Sequence, residues 1–275
     1  MLQVRCRIKM TIATAWVGTR SDGISHLYFA SDSRTRGGYV FDACPKLLML
    51  PRSDSAICFA GDLDWSYPLM LQISNAIAAH RPSRTRHLDI AQLKDHLVKI
   101  ATDLVASICD ASTVFDAATA TFIFGGYSWR SAAFHIWTLA YDSTRRAFVA
   151  RPNENFHPQL HQAAFIGDWA TRFRSRLHQA LSADRQKHIH PEHQPLIELS
   201  GLLKERGTGD TIGGAPQVVR IGAHMNTRPF CVPWGEPPVQ TLFGRPLFDY
   251  ENCDYWSIDP NSGIITPPPP IGRHD

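Results

Sequence analysis

CPKLLMLPRSDSAICFAGD, residues 44–62, reads as two short apolar runs, Lys46–Leu50 and Ser55–Ala60, around the polar turn Pro51–Asp54. Runs of this length form a strand hairpin, with a lysine at its entrance and Gly61 at its exit. Upstream, TIATAW (11–16) and the run His26–Ala30 flank the turn-like stretch Thr19–Gly23 and read as an earlier hairpin. Its second strand continues into ASDSR, which puts Asp32 at a strand end before Gly37 and Gly38 interrupt the chain.

Outward from these hairpins the pattern turns helical. Leu69, Met70, Ile73 and Ile77 lie on one helical face, with Ser66 as the expected N-cap and Pro68 in the first turn. After the HRPSRTRH loop, Ile90, Leu93, Leu97, Ile100, Leu104 and Ile108 keep a three-and-four spacing, the clearest helical signal in the chain. Strands follow at Thr119–Phe124, Ala132–Leu139, Ala147–Ala150 and Ala163–Ile166, then a helix beginning near Trp169, another over Pro195–Arg206, and a strand at Gln217–Ile221. The order strands, two helices, strands, two helices, strand is what two sheets between two helical layers require, so the expected fold is α/β, a four-layer αββα sandwich. The Pro-rich and aromatic end of the chain reads as an irregular C-terminal extension.

Composition narrows the function. A chain of 275 residues suits one large domain with an elaboration, and its apolar and charged fractions are those of a soluble globular protein. No apolar run is long enough to cross a bilayer, and MLQVRCRIKM lacks the apolar core of a secretory signal. Six scattered cysteines, without zinc-site pairs or a dense disulfide framework, fit a reducing cytoplasm. The net charge of +3 is carried partly by two short basic clusters, Arg81, Arg84 and Arg86, then Arg172, Arg174 and Arg176. Neither has the interleaved exposed aromatics or the reading motif of a nucleic-acid surface, so no nucleic-acid partner is expected. His188, His190 and His193 lack a carboxylate or thiol at ligand spacing, so no metal or other cofactor is expected either. There is no phosphate loop and no G-x-S-x-G elbow.

Four pieces carry the chemistry: Thr11 directly after Met10, Asp32 in ASDSR, Lys46 and Gly61. Taken alone, Asp32 and Lys46 read better as a surface ion pair, and Thr11 as an ordinary strand threonine. Together, the words MTIATAW, FASDSRTRGG and CPKLLMLPRSDSAICFAGD resemble the proteasome β-subunit family and its bacterial relatives, most nearly the Anbu family. Fainter likeness continues at FIFGGY, AFIGDWATRFRSRLHQAL and TIGGAPQVVRI, so the resemblance covers about residues 10–222.

The resemblance implies an N-terminal-nucleophile hydrolase cleaving peptide or other amide bonds, with Thr11 as nucleophile and its own α-amine as base. Lys46 would sit beside the threonine, Asp32 would hold that lysine, and the Gly61 N–H would face the developing oxyanion. Asp210, in DTIGG, is the nearest match to a supporting aspartate, one residue short in spacing, and Asp168 stands where the family usually has a serine. The implied partners are a peptide or protein substrate, copies of the same chain in a ring or helical stack, and an unfoldase or small protein. The chain then divides into 1–10, a leader or a misassigned start; 11–222, the hydrolase domain; and 223–275, the extension. Two other readings stay open: a proteasome-like scaffold without chemistry, and an amidase acting on small acylated molecules.

Overall fold

The first strand, β1 (Ile12–Thr19), turns back into β2 (Ser25–Ser31), and a two-stranded flap of β3 (Thr35–Arg36) and β4 (Val40–Phe41) follows. The computed structural model describes residues 11–36, 39–108, 119–183, 190–251 and 253–268, so the expectations about residues 1–10 and His188 lie outside the described residues. The decisive hairpin is β5 (Leu47–Met49) and β6 (Ser55–Ala60). Three helical segments come next, α1 (Leu63–Ala79), the single turn α2 (Arg81–Arg84) and α3 (Ile90–Ala106). Then come β7 (Thr121–Ser128), β8 (Ala133–Asp142), β9 (Ala147–Pro152), β10 (Ala163–Gly167), α4 (Ala170–Ser182), α5 (Gln194–Lys204) and β11 (Gln217–Gly222).

Helix α1 starts a turn earlier than the sequence suggests. Asp62, not Ser66, is the N-cap, its carboxylate accepting from Asp64 N at 2.9 Å, and Ser66 and Pro68 lie within the helix. Asp89 caps α3 in a reciprocal capping box with Gln92.

Two antiparallel five-stranded sheets form the body. One has the order β10-β1-β2-β11-β12, where β12 is Thr227–Pro229, and the other is β5-β6-β7-β8-β9. Period-two alternation sorts their side chains between three apolar clusters. Ala13, Ala15, Leu27 and Phe29 of the first sheet meet Ala56, Cys58, Ile123 and Ile136 of the second. The opposite faces take Ile57, Phe59, Phe122 and Phe124 against α1 and α3, and Trp16, Tyr28 and Val218 against α4 and α5. Residues 44–62 therefore contribute a strand buried on both sides, all six β6 residues being inaccessible.

The segment expected to be irregular carries a sheet of its own. Strands β13 (Cys231–Trp234), β14 (Val239–Leu242), β15 (Arg245–Pro246), β16 (Ser257–Ile258) and β17 (Ile265–Thr266) pair in the order β15-β14-β13-β16-β17. Phe230, Val232 and Ile258 belong to the same apolar cluster as α4 and α5, so this sheet is packed onto the body.

Candidate active site

The site gathers where β1 begins, β2 ends and β5 begins. Asp32, just past β2, is wholly inaccessible to solvent. Its backbone N–H donates to Ile12 O at 3.1 Å, and its carboxylate in turn accepts from Ile12 N at 3.1 Å. The same Oδ1 accepts from Lys46 Nζ at 2.7 Å, while Oδ2 accepts from Arg34 N at 3.2 Å and Gly213 N at 3.3 Å. Burial pushes the Asp32 carboxyl above the ordinary carboxylate range, opposed by Lys46 and by the N–H groups of Ile12 and Gly213. Lys46 is 1 % exposed, so the Asp32–Lys46 pair is a buried one rather than a surface contact.

Gln217, which the sequence offers only as the start of a strand, ties these pieces together. Its Oε1 accepts from Lys46 N at 3.0 Å and its Nε2 donates to Cys44 O at 2.6 Å and to Asp32 O at 3.3 Å. It is fully buried on β11, next to β2, and so fixes the Lys46 backbone relative to Asp32. A polar amide directly before the apolar pair Val218–Val219 of QVVRI is the signal that could have found it.

Thr11 is itself buried and sits one residue before Ile12, whose N–H shares the Asp32 oxygen that Lys46 occupies. On its other side, Ile12 pairs with Gly167 of β10, and continuing that antiparallel register by one step sets Asp168 beside Thr11. Gly167 has φ of +101°, and a Cβ there would lie 1.9 Å from Thr11 O, so only glycine lets the two strands meet this closely. Gly61 follows β6 with φ of +123°, and a Cβ on it would lie 2.3 Å from Thr119 O. Between Gly61 and Gly167 opens a cavity of about 330 Å³ lined also by Ala60, Thr119, Phe165 and Asp168.

The DTIGG loop reaches the site through Gly213 rather than through the aspartate. The Asp210 carboxylate accepts from Gly207 N at 2.8 Å and lies 3.9 Å from Arg206, closing its own turn. Asp168 is exposed. Cys44 is the thiol nearest to Lys46 in sequence, and burial pushes it up, which disfavours the thiolate a cysteine nucleophile needs. Among the described residues no group of three or more His, Cys, Asp or Glu side chains could hold a metal, and no helix is long and apolar enough to cross a membrane.

No protein-family model and no curated protein matches this sequence. Among solved structures it is similar to Anbu, the ancestral β-subunit, from Yersinia bercovieri, at 13% identity and a TM-score of 0.57, over 80% of this chain and 86% of that one. With identity this low the likeness is one of fold, and the fold of this chain is that of the proteasome-like Anbu protein.

Proposed function

We propose that the protein is an N-terminal threonine hydrolase of amide bonds, acting on peptides, with Thr11 as nucleophile. The observation that carries the reading is the buried Asp32–Lys46 pair bonded to Ile12 N, immediately after Thr11. A buried charge pair needs complete hydrogen bonding to persist, and here Asp32 collects four donors around it. Such an investment beside a threonine, under the fold of the proteasome-like Anbu protein, supports chemistry at Thr11. We read the body as a four-layer αββα sandwich, with α1 and α3 as one outer layer and α4 and α5 as the other.

In this mechanism the Thr11 hydroxyl attacks the scissile carbonyl carbon, and the free α-amine of Thr11 accepts its proton. An α-amine titrates near ~8, whereas a peptide nitrogen is not basic, so the amine must be released from Met10. The Lys46 ammonium stabilises negative charge developing at the hydroxyl, and the N–H of Gly61 faces the carbonyl oxygen as it becomes an oxyanion. Collapse of the tetrahedral intermediate expels the amine, which takes the proton from the Thr11 α-ammonium, and leaves an ester on Thr11 that water hydrolyses. Substrate flanking the scissile bond lies in the cavity between Gly61 and Gly167.

Gly61→Ala tests the oxyanion assignment. A side chain at φ of +123° is strained by about 1–3 kcal/mol, and displacing the N–H lowers kcat by roughly a hundredfold or more. An alanine variant with wild-type kcat removes Gly61 from the mechanism.

The reading as a whole is tested by native mass spectrometry and N-terminal sequencing of protein translated from Met10 and from Met1. Thr11 as the first residue is expected from the Met10 start, by methionine removal, or from the Met1 start by self-cleavage. The same spectra are expected to show a homo-oligomer, as befits a relative in fold of an ancestral β-subunit. Retention of residues before Thr11 in both proteins, with hydrolysis intact, overturns the mechanism. Retention without hydrolysis in a stable assembly favours the scaffold, a reading that the exposed Asp168 beside Thr11 supports.

A further inference from the structure

Cys231 opens β13, and Cys253 lies in the segment that leads into β16. The backbones of the two segments are joined in parallel register, with Cys231 opposite Ser257 and Cys231 N donating to Trp256 O at 2.9 Å. The two sulphur atoms are in direct contact at 2.6 Å, each the partner of the other. Cys231 is buried and Cys253 is partly exposed, so one thiol is shielded and the other is within reach of a small oxidant.

We propose that Cys231 and Cys253 are a modification site, a thiol pair that an oxidising disulfide converts into an intramolecular disulfide stapling the C-terminal sheet. Three observations support this. Cys44, Cys58, Cys231 and Cys253 are all free thiols, and of these Cys231 and Cys253 are the two that meet at contact distance. No third ligand completes a metal site around the two sulphurs among the described residues. The segments are already held by β13–β16 pairing, so closing the bond orders little further backbone.

The order of events follows from exposure and acidity. Burial, and then the neighbouring Cys253 sulphur, push the Cys231 thiol up to about 12, so Cys253 is the attacking group. As a thiolate, Cys253 attacks one sulphur of oxidised glutathione and releases one glutathione thiolate. Cys231, on losing its proton, attacks the Cys253 sulphur of the mixed disulfide and releases the second. Two S–H bonds are lost and one S–S bond forms within the chain. The two protons go to the released thiolates or solvent, and two electrons reduce the oxidant.

The bond would enclose β14 and β15 in a covalent loop, and the residues after Cys231 give that loop a place in the molecule. Pro233, Trp234 and Gly235 line a cavity of about 650 Å³ together with Arg34 and Gly213. Gly213 N is the donor to Asp32, so the stapled sheet forms one wall of a cavity that also reaches the loop supporting Asp32. A reducing compartment leaves the pair open, and an oxidising one closes it and stiffens that wall.

The test is to incubate the reduced full chain with oxidised glutathione under native conditions, quench with iodoacetamide, and measure intact mass, a peptide map and the melting temperature. The expected result is a loss of two hydrogen masses, a linked pair of peptides carrying Cys231 and Cys253, and a melting temperature higher by several degrees, reversed by dithiothreitol. Cys253→Ser, a small change at a partly exposed position, is expected to fold and to lose both the linkage and the shift. A stable glutathione adduct on either cysteine, or alkylation of both after oxidation, overturns the proposal.

Discussion

Asp32→Ala is expected to destabilise the protein by about 3–5 kcal/mol, lowering the melting temperature by roughly 6–20 °C, and to abolish hydrolysis. The size follows from what is left behind. Lys46 is 1 % exposed and loses its carboxylate partner, and the N–H groups of Ile12, Arg34 and Gly213 lose their acceptor in the same place. Cutting one member of a buried pair strands the other charge, whereas replacing both with apolar side chains of similar volume is often neutral. The double variant Asp32→Leu, Lys46→Met is therefore expected to recover most of the stability and none of the activity. Chemical denaturation of the three proteins, with hydrolysis measured on each, checks the set. A loss below about 1 kcal/mol in Asp32→Ala would reduce the pair to the worth of an exposed ion pair.

The parts of the fold that show in the sequence are those where one physical period dominates. Helix α3 carries Ile90, Leu93 and Leu97 inward with no competing signal, and its ends fall close to the expected ones. Strands such as β6 read as continuous apolar runs rather than alternating ones because both faces are covered, the odd and even positions going to different clusters. The C-terminal sheet is invisible for the opposite reason. Its strands are two to four residues long and include Pro233 and Pro246, too short for a period of two to appear and coloured by residues that disfavour strands.

The turn Pro51–Asp54 shows how burial escapes composition. Arg52 and Asp54 look like solvated turn residues, yet both side chains are fully buried, paired at 2.5 and 2.6 Å, and Arg52 Nη1 donates to Ser83 O and Leu88 O. The segment that covers them comes about thirty residues later in the chain, and no local window contains both. Gln217 and Gly213 escape for the same reason, since their partners Asp32 and Lys46 lie more than 160 residues away. Asp32 and Lys46 were accessible only through the resemblance, because nothing local separates a buried strand-end pair from an exposed one.

Thr11→Ala is expected to lower kcat/KM by roughly 10⁴-fold or more, as removal of a nucleophile does, while changing folding stability by no more than about 1–2 kcal/mol. The contrast with Asp32→Ala is the point. Thr11 is buried just before β1, but alanine keeps its Cβ, and the backbone contact of Thr11 with Gly167 is untouched. Thr11→Ser retains the hydroxyl and loses the methyl group that restricts χ1, so it is expected to keep a large part of the activity that alanine abolishes. Capping the threonine with one uncleavable residue leaves the hydroxyl in place but converts the amine into an amide, and is expected to be as inactive as Thr11→Ala. Hydrolysis of acyl-peptide amides by the wild-type protein and these three variants, all made from the Met10 start, separates nucleophile from base. Wild-type turnover in Thr11→Ala sinks the assignment, and full activity in the capped protein would keep Thr11 as nucleophile and move the base to another group.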